Sequence, residues 1–274
     1  MKLVIVCHLE NDLSNESGIA KKLPQEKQSF AHIPMILEWF SGMNIPLTLA
    51  VMVGGQTGTK LLESQSLKAI SKNDNLDIGI HYHAEKFIQG SWIYQTPLNE
   101  QEYRNYFAKF ENVVGISPKS AVFGKWKIDP KAYPVFKALN ITHDGSKIPE
   151  KGIISIPSLV QGIIEVPSVS YDGRPVNPLT RISDFFLMKK ILQEHYAENL
   201  LLHLAFHSYD LFSFSSGAPK WLTGKKSRLM ALINLSKTLK LEIIKLKDCN
   251  TEISGDLSAI KLPFLARIGQ LLGH

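Results

Sequence analysis

The stretch "NLDIGIHYHAE", residues 75–85, holds a short apolar run, Leu76 to Ile80, that breaks off into His81, His83 and Glu85. An apolar run this short, bounded by polar residues, reads as a buried strand and not as a helix. On an extended chain positions 81, 83 and 85 share one face; on the first turn of a helix 81 and 85 share it instead. Two imidazoles and a carboxylate at the end of a buried strand are either loop polar residues or one edge of a metal or acid/base site.

The surroundings weigh the two readings. Upstream, "LVIVCH" (3–8) reads as a strand, "AHIPMILEWFSGMN" (31–44) as a helix stopped near Gly42 and Asn44, "IPLTLAVMVGG" (45–55) as a strand closed by glycines, and "GTKLLESQSLKAISKN" (58–73) as a helix. Downstream, helices are expected over 99–115, 130–140, 181–199 and 225–239. Strands are expected at "KSAVFG" (119–124), "ITHDGS" (141–146), "IIEVPSVSY" (163–171), "LLLHLAFHSYD" (200–210) and "EIIKLKD" (242–248). This alternation predicts an α/β fold of βα units around a parallel sheet. In such folds chemistry collects where parallel strands end. Read in order, the predicted ends carry His8, Glu10 and Asp12, then His81, His83 and Glu85, then Lys125 and Trp126, then His143 and Asp144, then His207 and Asp210. A shared site explains that clustering better than chance placement.

Composition narrows the class. The 274 residues, 44% hydrophobic and 20% charged, suit a globular protein, and no linker or repeat divides them. No window approaches the roughly 18 apolar residues of a membrane span, and the apolar start is too short for a signal peptide, so a cytoplasmic protein is expected. Cys7 and Cys249 form neither a disulfide framework nor a zinc spacing and read as buried thiols. The net charge of +6 is spread along the chain, with its densest patch at 219–228, and no nucleic-acid module is recognisable.

Several segments resemble the polysaccharide deacetylases, and most closely their divergent, cytosolic branch of surface-polysaccharide biosynthesis. "EWFSGMNIPLTLAVMVGG" resembles the family's helix followed by "GIPATFFV", and "LDIGIHYHAE" its "EIGxHTxxH" metal motif. "AVFGKWKID" is similar to "FRAGRWGID", "NITHDGS" to "FxYDSS", and "LLHLAFHSYDL" to the late "HPYDL" segment. The resemblance spans about residues 1–248. It implies a single-domain distorted (β/α)7-type barrel with parallel strands over residues 1–250, followed by a tail at 251–274. The implied activity is metal-dependent removal of an acyl group from a sugar, a nucleotide sugar or a lipid-linked glycan. An inactive or metal-free sugar-binding barrel of the same fold is the alternative. The chain departs from the family at the opening acidic pair, here His8 and Glu10, at the motif's second histidine, here Glu85 with His83 between, and at the bracing arginine, here Val122.

On that basis Glu10 and His81, with His83 or Glu85 as the third ligand, are expected to hold a divalent ion, most simply Zn²⁺. His8 is expected as general base, a ligand or a core histidine being its other readings, and His207 as general acid toward a leaving amine. Lys125, Trp126, Asp144 and Asp210 are expected to contact substrate, with His143 and Asp144 also able to orient a neighbour. His203 reads as a core histidine; His32, His195 and His274 read as surface residues. In the tail, Leu262, Leu265, Ile268, Leu271 and Leu272 make an apolar stripe. It can fold back on the barrel, form a homodimer contact or lie on a membrane surface.

Overall fold

Nine strands of the described residues join one sheet, in the order β12-β1-β2-β3-β6-β7-β9-β8 with β15 beside β1. They are β1 (Lys2–Leu9), β2 (Leu47–Met52), β3 (Leu76–Tyr82), β6 (Ser120–Phe123), β7 (His143–Asp144), β8 (Ser158–Val160), β9 (Ile163–Glu165), β12 (Leu201–His207) and β15 (Glu242–Ile244). The computed structural model describes residues 1–10, 32–53, 61–62, 66–82, 85–88, 91–94, 98–126, 129–149, 156–171, 173–213 and 218–253. Every pairing in the sheet is parallel except β8 with β9. Along one edge of β1, β15 pairs with Lys2–Val4 and β2 with Val6–Leu9. The sheet curls into a half-barrel of the (β/α)7 type, as the family resemblance implies.

Alternation along the strands separates two faces. Leu3, Ile5, Cys7 and Leu9 of β1, with Leu202, Leu204 and Phe206 of β12, pack in a large core with helical residues such as Ile33, Ile36 and Phe40. Val4, Val6, Ala50 and Val122 belong to a second, inner cluster with Leu246 and Ile253. His8, Asp77, His81, His203 and His207 alternate onto that inner face. At its lower end Asp77 accepts hydrogen bonds from Ser120 (2.8 Å) and Thr48 (3.3 Å), with Lys247 Nζ 3.7 Å away. Burial pushes the Asp77 carboxyl up, against those bonds and that charge. Polar residues thus close the bottom of the half-barrel, and histidines crowd its top.

The helices are α1 (His32–Met43), α2 (Ser66–Ile70), α3 (Glu100–Val114), α4 (Tyr133–Ala138), α5 (Ile182–His195) and α6 (Thr223–Thr238). The strongest end signals lie on α3, where Asn99 and Glu102 form a capping box and Gly115 (φ 80°) closes the helix in the left-handed region. The helix expected over 58–73 is described only at 61–62 and 66–70. The strand expected over 163–171 divides into β9 and β10 (Ser170–Tyr171), because Pro167 has no N–H for the ladder. The hairpins β4 (Glu85–Ile88) with β5 (Ser91–Tyr94), β10 with β11 (Arg174–Pro175), and β13 (Phe212–Ser213) with β14 (Lys220–Trp221) were not expected. No described helix is long and apolar enough to cross a membrane. The apolar stripe of the tail, and His274, lie outside the described residues.

Candidate metal centre

Three strand ends meet at the top of the inner face. β1 supplies His8 and, one residue past its end, Glu10; β3 supplies His81 and β12 His207. His8 and His207 are direct partners in the β1–β12 register, so they stand in one layer. The His8 ring lies 4.7 Å from that of His81 and 5.1 Å from that of His207. Glu10 spans two histidines, Oε2 lying 3.4 Å from His81 Nε2 and Oε1 3.2 Å from His207 Nε2. One ligand atom each from His8, Glu10 and His81 fall within 4.8 Å of one another. Those three are buried, whereas the His207 side chain is 20% exposed, so the cluster opens on that side.

Two of the three imidazoles are oriented by polar partners. His81 Nδ1 lies 3.0 Å from the Val122 carbonyl, which can only accept, so Nδ1 donates there and Nε2 is the ring atom turned toward Glu10. Burial, then the adjacent His81 and His207, drive the His8 pKa well below its ordinary value and keep the ring neutral. The Asp210 carboxylate accepts from the His207 backbone N–H (2.9 Å) and from Asn177 Nδ2 (2.8 Å), and lies 3.5 Å from His207 Nδ1. Burial pushes the Asp210 carboxyl up, but the hydrogen bonds and charge of His207 and the Asn177 bond outweigh it, and its pKa falls below the ordinary value. Tyr209 stacks on the His207 ring at 4.8 Å.

This donor set fits a divalent ion. His81 Nε2 and a Glu10 carboxylate oxygen face each other, and both are atoms that can ligate a cation held between them. In a tetrahedral site with bonds of about 2.0–2.1 Å, ligand atoms sit roughly 3.4 Å apart, the separation of Glu10 Oε2 and His81 Nε2. Both ring nitrogens of His8 are buried with no hydrogen-bond partner among the described residues, which buried polar atoms rarely tolerate unless something is bound. Two imidazoles and one carboxylate are a zinc-type set, and the Val122 carbonyl gives His81 the outer hydrogen bond that such ligands use.

Other expected residues fall in different places. Trp126 stands beside the cluster, its ring 5.5 Å from His8 and 6.0 Å from His207 and its Nε1 donating to Ser168 Oγ at 3.3 Å. Lys125 next to it is exposed; both residues hold a positive φ (55° and 50°), a strained pair that swings the indole over the histidines. His83 lies outside the described residues, and of Glu85 only its backbone place at the start of β4 is described. His203 is a core histidine, its Nδ1 donating to the Val166 carbonyl and its pKa pushed down to about 4 by burial.

Four expectations are corrected. Asp144, expected at the substrate, is fully buried in a network with Tyr133, Ser146 and Glu165. Asp210 is also buried and engages His207 and Asn177, so it orients the histidine. His143 sits between Thr142 Oγ1 and the Cys249 carbonyl and orients no member of the centre. His32, expected at the surface, is wholly buried and hydrogen-bonded to Ser208. Ser208, Val122 and Asn177 went unsuspected, since a hydroxyl, a backbone carbonyl and an amide give no spacing signal.

No protein-family model matches the chain, and no curated protein matches it. Solved structures do. A protein from Mycobacterium smegmatis named as a candidate polysaccharide deacetylase is similar over 99% of this chain and 90% of its own, at 15% identity and a TM-score of 0.56. A GH57 branching enzyme from Thermococcus kodakaraensis matches over 96% and 72% (10% identity, TM-score 0.54). An alpha-amylase from Thermotoga maritima matches over 94% and 76% (11% identity, TM-score 0.53). At such identities the likeness is one of fold, shared by carbohydrate-acting proteins of different chemistry.

Proposed function

We propose that the chain is a metal-dependent hydrolase that removes an acyl group, N-acetyl or O-acetyl, from a sugar or glycan intermediate of surface-polysaccharide assembly in the cytoplasm. The observation that carries the reading is the buried His8–Glu10–His81 triangle at the strand ends, with both His8 nitrogens lacking a hydrogen-bond partner among the described residues. Glycoside cleavage, the chemistry of the amylase-type neighbours, calls for two carboxyl groups flanking a bond. Here Glu10 is engaged by two imidazoles and Asp210 is buried behind a third contact with His207.

In this reading His8, Glu10 and His81 hold the ion, Zn²⁺ fitting the donor set best. Bound there, such an ion polarises an acyl carbonyl and acidifies a neighbouring water. His8, with its pKa driven so low, serves as a ligand and not as the proton carrier. His207 is the group that moves a proton, because Asp210 holds its Nδ1 side and Nε2 faces the centre from the open wall. It hands its own proton to the departing amine, which is too poor a leaving group to depart unprotonated, while the proton of the acidified water is lost to solvent on the open side. Trp126 offers a face for a sugar ring and Lys125 a charge at the mouth for a phosphate of a nucleotide sugar or lipid-linked glycan.

Metal analysis of the purified chain tests the reading directly. Stoichiometric Zn²⁺ uptake is expected, falling well below stoichiometric in His81→Ala while the circular dichroism spectrum is kept. Acetate release from N-acetylated oligosaccharides should be abolished by a chelator and restored by Zn²⁺. Undiminished metal in His81→Ala sinks the ligand assignment; a parent chain with neither metal nor turnover is the sugar-binding barrel instead.

A further inference from the structure

Glu10 stands two residues beyond the last pair of the β1–β12 ladder, His8 with His207. What holds its main chain there is a side chain. Ser208, fully buried and directly after His207, donates its hydroxyl proton to the Glu10 carbonyl at 2.7 Å and accepts from the Glu10 N–H at 3.2 Å. The same oxygen lies 3.2 Å from His32 Nε2. A hydroxyl has one proton and a carbonyl can only accept, so that proton belongs to Glu10. His32 must then donate from Nε2, which sets its tautomer. One oxygen thus ties together the end of β1, the end of β12 and the first residue of α1.

We infer that Ser208, backed by His32, is the positioning residue that sets Glu10 as a ligand, by replacing a missing rung of the sheet with a side-chain clamp. This rests on the metal reading above. Ser208 follows His207 in the chain, so gripping the Glu10 backbone also fixes Glu10 against His207, whose Nε2 lies 3.2 Å from Glu10 Oε1. It touches no ligand atom. Its effect reaches the ion only through the placement of the carboxylate, as outer hydrogen bonds to metal ligands do.

The test measures Co²⁺ affinity and the visible Co²⁺ absorption, which reports ligand geometry, on the purified metal-free chain. Ser208→Ala should weaken Co²⁺ binding by about 10–100-fold, the range for losing an outer hydrogen bond to a ligand, and should change the Co²⁺ band. A properly folded Ser208→Ala with parental affinity and spectrum overturns the clamp. Should that variant fail to fold, His32 decides: His32→Leu should weaken Co²⁺ binding and His32→Gln, which keeps an N–H donor, should recover it. Parental affinity in both His32 variants overturns the inference as well. A parent chain that takes up no Co²⁺ defeats the metal reading itself, and this inference with it.

Discussion

Asp144 should hold its proton in the folded protein up to about pH 6, and Asp144→Asn should show it. The Tyr133 hydroxyl lies 2.9 Å from Asp144 Oδ2 and 2.7 Å from Glu165 Oε1. A phenol has one proton, so two such contacts need a second proton on one of the carboxyls. Glu165 Oε2 is paired with Lys147 Nζ at 2.7 Å, whereas Asp144 is fully buried and has no ion pair among the described residues, so the second proton belongs to Asp144. Burial, joined by the Glu165 charge, pushes the Asp144 pKa up from 3.8 to about 6, against the bonds from Ser146 and Tyr133. At about 1.4 kcal/mol per pH unit, that difference amounts to about 3 kcal/mol. Below about pH 4 folded and unfolded chains both hold the proton. Between about 4 and 6 only the folded chain does, so unfolding releases it and stability falls as pH rises, the loss being complete above the folded pKa. Asparagine can accept from Ser146 and donate to Tyr133 with no proton to lose. Urea unfolding at pH steps from 4 to 8, with unchanged slopes, should therefore show the parent's advantage over Asp144→Asn shrinking by about 3 kcal/mol across that range. A difference that stays flat, or grows with pH, would show that Asp144 is ionised and refute the proton count.

Gly79 sits where β3 passes β6. A Cβ there would collide with the Ser120 hydroxyl and lie 2.9 Å from the Ser120 carbonyl oxygen, disturbing the Ser120–Asp77 bond. Gly79→Ala should cost about 2–4 kcal/mol, overpacking plus one buried hydrogen bond; a loss under about 0.5 kcal/mol in urea unfolding would contradict the close packing. His207→Ala should slow hydrolysis of an N-acetyl sugar about 10²–10⁴-fold while largely sparing an activated aryl ester, whose leaving group needs no proton. Equal losses on both substrates would remove the acid role. Deleting residues 258–274 should leave a chain that still unfolds cooperatively, and gel filtration before and after deletion tests the tail as a dimer contact.

The local sequence determined most of the elements and which strand ends carry ionisable residues. Strand runs and helix periods are short-range signals, and most that fall on the described residues survive in the structure because the same apolar faces that mark them are the ones buried. The strand-end residues Glu10, His81 and His207 were legible for the same reason, since a polar residue that breaks off a buried strand needs an explanation wherever the strand is placed. Partnership was not legible. Whether His8 is a base or a ligand depends on its being buried among two other histidines, and that follows from the β1–β12 and β2–β3 registers, which join positions far apart in the chain. Asp144 and His143 also end a strand, yet β7 turns them into a network with Tyr133 and toward Cys249. His32 looked like a surface residue because one imidazole at a helix start carries no periodic signal; only the fold sets it against Ser208, 176 positions away. Side-chain period is a property of neighbours in sequence, whereas ligation, proton sharing and backbone clamping are properties of neighbours in space, and those exist only once the sheet has closed.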